Sequence, residues 1–145
     1  MNAEQIKAWI TEATEEVINK QNVDLVDTYY TADFVNHNPN RPDACNLEGY
    51  KQWLQMLNAA FPTSVTTLDD IIVEGDKVVV RWTAIRTGKG VFFGIDITGK
   101  KATNTGMTIM RMVDNKVAEA WWNVDMLGLL QQLGLIPLPG QAAKA

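Results

Sequence analysis

The sequence has very few of the side chains that build metal and redox sites. Cys45 is the only cysteine and His37 is the only histidine. One cysteine cannot close a disulfide within the chain, and a single thiol with a single imidazole cannot supply the usual ligand set of a zinc site. We therefore expect no metal centre. Because the chain cannot form an internal disulfide, we expect it in a reducing compartment, by default the cytoplasm.

An excess of positive charge is also missing. The chain carries 13 Lys and Arg against 17 Asp and Glu, a net charge of -4, and the basic residues are scattered along it. Nucleic acids and anionic membranes favour runs or stripes of basic residues. No apolar run approaches the roughly 20 residues that span a bilayer, and the N-terminus begins with a polar amphipathic pattern, unlike a signal peptide. We expect neither nucleic acid nor a membrane as a partner.

The glycines do not form a phosphate-binding pattern. Gly88, Gly90 and Gly94 lie close together, but no helical pattern begins after them. Dinucleotide and phosphate loops lead from a strand directly into a helix. The sequence therefore predicts no cofactor.

What the chain does have is enough apolar surface for one sizeable core. Hydrophobic residues make up 46% of its 145 residues, which suits one domain and leaves no length for a second. The residues after Gly134 are mostly small and include two prolines. We predict a single domain over residues 1–136 and a C-terminal tail over residues 137–145.

Helical periodicity marks the first part of the chain. Apolar residues recur at intervals of three and four from residue 3 to about residue 21, behind Asn2 and Gln5 in the spacing of a capping box. A second apolar stripe runs over residues 47–61, and Asn46 precedes it as a preferred N-cap residue. The sequence predicts two amphipathic helices here.

The segment between these helices is expected to be less regular. A short helical turn is predicted around residues 25–30. Residues 34–39 are predicted to form a loop, because Asn38 precedes Pro39 and a residue before proline avoids helical backbone.

After Pro62 the apolar period changes from about 3.6 to 2, which indicates strands. Tight turns are expected at Gly75-Asp76 and at Asn115. A last short helix is expected from Asp125 to Gly134. Helices followed by an antiparallel meander predict the α+β class, with the N-terminal helices packed on one face of the sheet. The predicted strands are Val65 to Val73, Lys77 to Arg86, Val91 to Ile95, Ala102 to Val113 and Lys116 to Val124.

Loop length decides which side chains share a face in the last hairpin, because a slip of one residue turns every side chain to the other face. A two-residue loop would place Thr108 on the same side as Trp121. A three-residue loop, Asp114 to Lys116, would place Thr108 opposite Trp122. We predict the three-residue loop, since Asp and Asn tolerate left-handed backbone and form local hydrogen bonds.

Several segments stand in a recognisable order. They are the three N-terminal helices, the loop Asp33 to Pro39, the hairpin Gly75 to Arg81, the turn Ile97 to Lys100, and the stretch from Trp121 through Asp125 to Gly134. In this order and spacing they resemble the SnoaL-like polyketide cyclase family, over almost the whole chain. The resemblance implies the cone-shaped NTF2-like α+β barrel, in which a curved antiparallel sheet wraps the helices and leaves an apolar pocket.

The resemblance also implies a function. Members of this family carry out cofactor-free acid/base chemistry on small apolar carbonyl compounds, typically an intramolecular aldol ring closure, and they pair as homodimers through the outer face of the sheet. Met107, Ile109 and Arg111 could supply that face here. An ester cyclase or an isomerase of the same fold is a related alternative. A non-catalytic ligand-binding or dimerisation module is the alternative from another class.

The residues that the well-studied aldol cyclases use are replaced in this chain. They have an Asp near the end of the last strand and a His on the strand before it, and those places hold Trp122 and Thr108. A third place, where relatives have a His, holds Gly88. A second family Asp matches Asp125. Epoxide hydrolysis in the manner of limonene epoxide hydrolase is not expected, because Thr83 stands where an Asp should follow Arg81 by two residues.

Two candidates for proton transfer remain, each with a structural alternative. His37 is a candidate because histidine is the side chain best suited to proton transfer near neutral pH, but its Asn-His-Asn-Pro setting also suits a hydrogen-bonded loop. Asp125 could act as a general base, but an Asp before an apolar helical run also suits an N-cap. Aromatic and Met positions of this kind are more often ordinary core residues than ligand contacts. The predicted substrate-binding residues are Trp122, Thr108, Tyr30, Phe34, Trp53, Met56, Trp82 and Met110.

Overall fold

The computed structural model describes residues 1–140. Its helices are α1 (Ala3–Ala13), α2 (Val26–Tyr29), α3 (Leu47–Ala60) and α4 (Met126–Gln132). Its strands are β1 (Tyr30–His37), β2 (Thr63–Glu74), β3 (Lys77–Thr87), β4 (Val91–Phe92), β5 (Ile95–Asp96), β6 (Lys101–Val113) and β7 (Lys116–Val124). Of the predicted tail, residues 141–145 lie outside the described residues.

The N-terminal helix begins as its sequence predicts. The Asn2 side chain accepts a hydrogen bond from the Gln5 backbone N–H, and the Gln5 side chain accepts one from the Asn2 backbone N–H, both at 2.9 Å. This reciprocal pair satisfies two donors that have no partner inside the helix. Beyond Ala13 the chain continues as a π-helix over Thr14–Asn19 and then a 3-10 turn over Val23–Leu25. Helical backbone therefore extends nearly to the predicted end at residue 21.

The main sheet has five strands in the order β1-β7-β6-β3-β2. The pairs among β2, β3, β6 and β7 are antiparallel, whereas β1 lies parallel to β7. The prediction of an α+β fold with N-terminal helices on a curved, mainly antiparallel sheet is confirmed. The predicted helices over residues 47–61 and from Asp125 onward are confirmed as α3 and α4, with Asn46 and Asp125 as caps.

The predicted loop over residues 34–39 is wrong for its first four residues. Residues up to His37 belong to β1, which pairs with β7 at Val35, Asn36 and His37. A proline excludes helical backbone from the residue before it but allows extended backbone. The position of Pro39 was therefore compatible with a strand as well as with a loop. The partner strand lies some eighty residues further along the chain, so local sequence could not reveal the pairing.

In the β6–β7 hairpin the predicted loop length is wrong, whereas the predicted pairing of Thr108 with Trp122 is found. Its turn has two residues, Asp114 and Asn115, with φ of 49° and 62°, and not three. Thr108 nevertheless lies opposite Trp122. The register shifts beyond Arg111 because Glu119 pairs with Arg111 and Val117 with Met112, which leaves Ala118 as a bulge. The extra residue sits in the strand and not in the loop.

Residues 91–95, predicted as one strand, form a small hairpin of β4 and β5. Its turn contains Phe93 and Gly94, both with positive φ. A turn at these two residues divides the segment into two short paired strands, so it cannot form one continuous strand.

The core lies between the helices and the inner face of the sheet. On β3 the inner face is formed by alternating residues, of which Val78, Val80, Trp82 and Ala84 are buried. The Trp82 ring crosses the neighbouring strand at Gly106, where a Cβ atom would overlap the ring. Glycine at position 106 is thus required by the close approach of an aromatic side chain.

Within residues 1–140, the helices are all too short or too polar to cross a bilayer. The cytoplasmic location stays a prediction, as does the domain boundary at residue 136.

We predict that Gly106→Ala destabilises the protein by about 1 to 3 kcal/mol, because the added methyl group must displace the Trp82 ring in a packed layer. Urea denaturation followed by tryptophan fluorescence would measure the loss. Thr105→Ser at the exposed neighbouring position should stay within about 0.5 kcal/mol of the wild type. Equal stability of Gly106→Ala and the wild type would show that the ring is free to move.

Candidate ligand-binding cavity

An apolar cavity of about 130 Å³ lies between the helices and the inner face of the sheet. Six of the eight predicted substrate-binding residues line it. These six are Tyr30, Trp53, Trp82, Thr108, Met110 and Trp122. That any of them contacts a ligand stays a prediction.

Phe34 and Met56, the other two, do not line the cavity. Phe34 is fully buried behind it, in edge contact with the Tyr30 ring at 4.9 Å. Met56 lies on the outward side of α3 with 54% of its surface exposed, and its sulfur accepts a hydrogen bond from Arg41. The helical period of α3 turns Met56 away from the cavity. Phe34 lies on the buried side of β1, where its ring packs against the cavity-lining rings of Tyr30 and Tyr50.

The residues at the two replaced catalytic places are hydrogen-bonded within the protein. Trp82 Nε1 donates to Thr108 Oγ1 at 3.1 Å, and Thr108 is only 1% exposed. Trp122 Nε1 donates to Asn36 Oδ1 at 2.7 Å. Both indole N–H groups thereby have partners, which an aromatic side chain in an apolar wall requires. Neither place holds a group that can accept a proton from carbon near neutral pH.

Gly88, at the third family place, has no room for a side chain. A Cβ atom there would lie 2.5 Å from the Ile97 carbonyl oxygen. The Gly88 backbone is fixed on both sides, since its N–H donates to Lys100 and its carbonyl accepts from Gly99. A histidine at this position would require a different path for the following turn.

Two tyrosines add hydroxyl groups to the cavity wall. The Tyr30 and Tyr50 hydroxyl oxygens lie 3.3 Å apart in a buried hydrogen bond. Burial raises the pKa of Tyr30, and burial followed by the neighbouring Tyr30 raises the pKa of Tyr50 well above its usual value. Both therefore stay neutral at physiological pH.

Among the described residues Arg86 is the one charged side chain in the wall, and the sequence analysis did not single it out. Its Nη1 donates to Ser64 Oγ at 3.2 Å, and its guanidinium lies 5.7 Å from the centre of the Phe61 ring. Its Nε is buried without a hydrogen-bond partner. Burial lowers the pKa of Arg86 to about 10. The signal was present in the sequence, because Arg86 follows Trp82 and Ala84 at the strand period of two.

His37 lies outside the cavity, at the surface end of β1. Its Nε2 is 2.7 Å from Glu119 Oε2, and its ring stacks on Trp121 with centres 5.3 Å apart. The hydrogen bond from His37, reinforced by Arg111, lowers the pKa of Glu119. The side chain is 44% exposed. The geometry supports a surface hydrogen bond between His37 and Glu119 and does not bring the imidazole to the cavity.

Asp125 acts as the N-cap of α4. Its Oδ1 accepts a hydrogen bond from the Gly128 backbone N–H at 2.9 Å. The carboxylate lies so close to Gly128 that a Cβ atom there would overlap it. Although Val124 and Met126 on either side line the cavity, Asp125 does not. The structural alternative for this residue fits the geometry, and the proton-transfer role stays untested.

The cavity wall thus contains no carboxylate and no imidazole among the described residues. The same part of the chain also holds no cluster of three or more His, Cys, Asp or Glu side chains suited to a metal ion.

Comparison with known proteins identifies a family with this fold. The family model described as SnoaL-like polyketide cyclase matches residues 8–133. A search of curated proteins found no match.

Solved structures show the same fold. A candidate polyketide cyclase from Acidithiobacillus ferrooxidans is 29% identical with a TM-score of 0.83, covering 92% of this chain and 98% of that one. IdmH from Streptomyces antibioticus, a candidate polyketide cyclase, is 27% identical with a TM-score of 0.79, covering 90% and 99%. AclR from Streptomyces galilaeus, a candidate hydroxylase, is 25% identical with a TM-score of 0.85, covering 94% and 89%.

We predict that Asp125→Ala lowers the free energy of unfolding by about 1 kcal/mol, through loss of the cap. Asp125→Asn should retain nearly all of the stability, because an amide oxygen also caps a helix well. Chemical denaturation of both variants would measure the difference. An equal loss in both variants would contradict the cap, since only the charge distinguishes Asn from Asp at this position.

Proposed function

The chain belongs to the SnoaL-like polyketide cyclase family, and from this premise we propose that it binds a small, mostly apolar carbonyl compound in the cavity and holds it for cyclase-type ring closure. The observation that carries this proposal is the composition of the cavity wall. Aromatic and aliphatic side chains dominate it, and a few hydrogen-bonding groups interrupt them. Small-molecule sites typically have this composition, with the polar groups fixing orientation.

The wall can stabilise the charge that develops in such a reaction. Ring closure needs a carbanion next to one carbonyl, and the resulting enolate oxygen needs a hydrogen-bond donor. In the Tyr30–Tyr50 pair only one hydroxyl hydrogen is used in the mutual bond, so the other is available to a ligand. The Arg86 guanidinium adds a cation in the same wall.

Within residues 1–140 the wall offers no side chain that could take the proton. His37 and Asp125 were the predicted candidates, and both are engaged outside the cavity. The proposal therefore gives the protein the tasks of folding the substrate and stabilising the enolate, while water accepts the proton. Holding the two reacting carbons together lowers the barrier by itself, because a flexible chain loses that freedom on binding.

A second candidate function is a non-catalytic ligand carrier of the same fold. The observation that favours it is the same lack of a base, together with the internal hydrogen bonds of Thr108 and Trp122. The two candidates share the cavity and differ only in turnover.

We predict that benzoylacetone, an apolar diketone, binds in the cavity and quenches tryptophan fluorescence, because four tryptophans line it: Trp9, Trp53, Trp82 and Trp122. Leu57→Trp should weaken binding at least tenfold, since Leu57 lines the cavity from α3 and a larger ring fills it. His37→Ala and Asp125→Asn should leave the affinity unchanged.

Gln55→Trp is the matched control, because it adds the same ring at an exposed position of the same helix. Equal binding by Leu57→Trp and Gln55→Trp would place the ligand elsewhere. Turnover then separates the two functions. Heptane-2,6-dione closes to 3-methylcyclohex-2-enone by forming one carbon–carbon bond and losing water, and the enone absorbs in the ultraviolet. Acceleration supports the cyclase, and binding of diketones without acceleration supports the carrier.

We also propose that the chain forms a homodimer through the outer face of the sheet. Large apolar side chains are exposed there on three neighbouring strands, and an apolar patch of this kind commonly marks an interface. These residues are Val65, Ile72, Ile85, Met107 and Ile109.

We predict the mass of a dimer in light scattering at micromolar concentration. Ile109→Lys should shift the protein toward monomer, because the substitution would bury a charge in the interface. Val91→Lys is the matched control, since Val91 is an exposed aliphatic residue on the separate β4–β5 hairpin. A monomeric wild type would refute the proposal.

A further inference from the structure

The most unusual group in the cavity is the Arg86 guanidinium. It lies on the inner face of β3, two residues beyond Ala84, in a wall made largely of apolar side chains. Within residues 1–140 it makes no ion pair, and its single hydrogen bond goes to the Ser64 hydroxyl. The other arginine of the same strand, Arg81, faces outward and pairs with Asp69 and Asp70. The two arginines thus have opposite environments only five residues apart.

An arrangement of this kind costs stability in the empty protein. A cation that loses water without gaining a counter-ion pays a desolvation penalty. The buried Nε without a partner adds the cost of an unsatisfied donor. Burial also lowers the pKa of Arg86 only to about 10, so the side chain stays charged near neutral pH. Since an apolar residue of similar length would avoid these costs, a role in ligand binding accounts for the arginine better than packing does.

The geometry of the guanidinium indicates what it is suited to bind. Nη1 is occupied by Ser64, which leaves the edge formed by Nε and Nη2 without a protein partner in the described chain. Two parallel N–H groups on one edge of arginine match the two oxygens of a carboxylate. The guanidinium lies over the Phe61 ring, and Nε is shielded from solvent in the ligand-free protein, so a ligand that binds this edge must displace neighbouring side chains slightly.

We propose that Arg86 anchors a carboxylate of the cavity ligand through its Nε and Nη2 edge, so that the ligand is an apolar carboxylic acid bound as its anion. The inference rests on the proposed function, because it concerns the same cavity. The inference narrows the class of ligand from any apolar carbonyl compound to one that carries a carboxylate group at one end. The wall elsewhere is neutral, which fits a ligand whose remaining part is apolar.

The test compares a carboxylate with its neutral amide of the same shape. Binding of 2-naphthoate and 2-naphthamide is measured at pH 7 by calorimetry. We expect wild-type protein to bind naphthoate about tenfold or more tightly than naphthamide, the advantage expected of a charge-assisted hydrogen-bond pair. Arg86→Met should lose most of the naphthoate affinity and keep naphthamide within about twofold. Arg86→Lys should bind naphthoate with intermediate affinity, because it keeps the charge and loses the paired donors.

Arg81→Met is the matched control, because it removes the same charge from the same strand on the outward side. It should bind both probes as the wild type does. The melting temperature distinguishes an anchor from a structural residue. Arg86→Met should melt at the wild-type temperature or above it, because a partly buried charge without a counter-ion has been removed.

Each other outcome has a definite meaning. Equal affinity of the wild type for both probes would overturn the anchor and leave the proposed cavity function standing. Failure of the wild type to bind either probe would overturn the anchor and the proposed function together. A lower melting temperature of Arg86→Met, with equal loss of both probes, would assign Arg86 a packing role and refute the proposal.

Discussion

The composition of the cavity wall depends on one backbone constraint, the register between β6 and β7. The turn at Asp114 and Asn115 has only two residues, and by itself it would leave Trp121 on the side of Thr108. The bulge at Ala118 adds one residue to β7, so that Trp122 comes opposite Thr108. A slip of one residue exchanges the two faces of a strand. Without the bulge, the cavity would be lined by the residues that now stack outside it.

The same register separates the ionisable groups of this region. Trp121 faces outward and packs against His37, and the neighbouring Glu119 receives hydrogen bonds from His37 and Arg111. The side chains of this polar cluster are partly exposed, so their charges cost little. The opposite face of β7 contributes Trp122 to a wall whose indole and hydroxyl groups have internal partners. The lack of a base in the cavity is thus a direct result of which face the bulge turns inward.

Much of the fold could be predicted from the sequence, because its signals are local. The caps at Asn2, Asn46 and Asp125 depend on residues three positions apart, and the strand period is visible wherever one face is buried. The parallel pairing of β1 with β7 was missed because the two strands are far apart in the chain. The bulge was missed because the pattern shows that an extra residue is needed, but not whether the loop or the strand takes it.

The site was predicted less completely, because the charged residue of the cavity wall, Arg86, was not among the predicted residues. Aromatic and methionine residues are natural candidates for an apolar pocket, and six of the eight predicted residues do line the cavity. Of the other two, Phe34 is packed behind the tyrosine rings and Met56 lies on the exposed side of α3. Arg86 was passed over because an arginine on a strand is usually expected to face water. Its position in phase with Trp82 and Ala84 was evidence against that expectation.

The free hydrogen-bonding capacity of the cavity also constrains the shape of a ligand. Thr108 and Trp122 are occupied by Trp82 and Asn36, so the places that the family uses for acid/base chemistry offer little to a substrate here. Of the groups that the proposed function uses, free capacity remains in the Tyr30–Tyr50 pair, with Tyr30 on β1, and at Arg86 on β3. Strands β1 and β3 are separated by three interstrand spacings in the sheet, which is roughly 14 Å measured across the strands. A ligand that uses both must therefore be elongated, with an apolar middle between an oxygen and an ionised end.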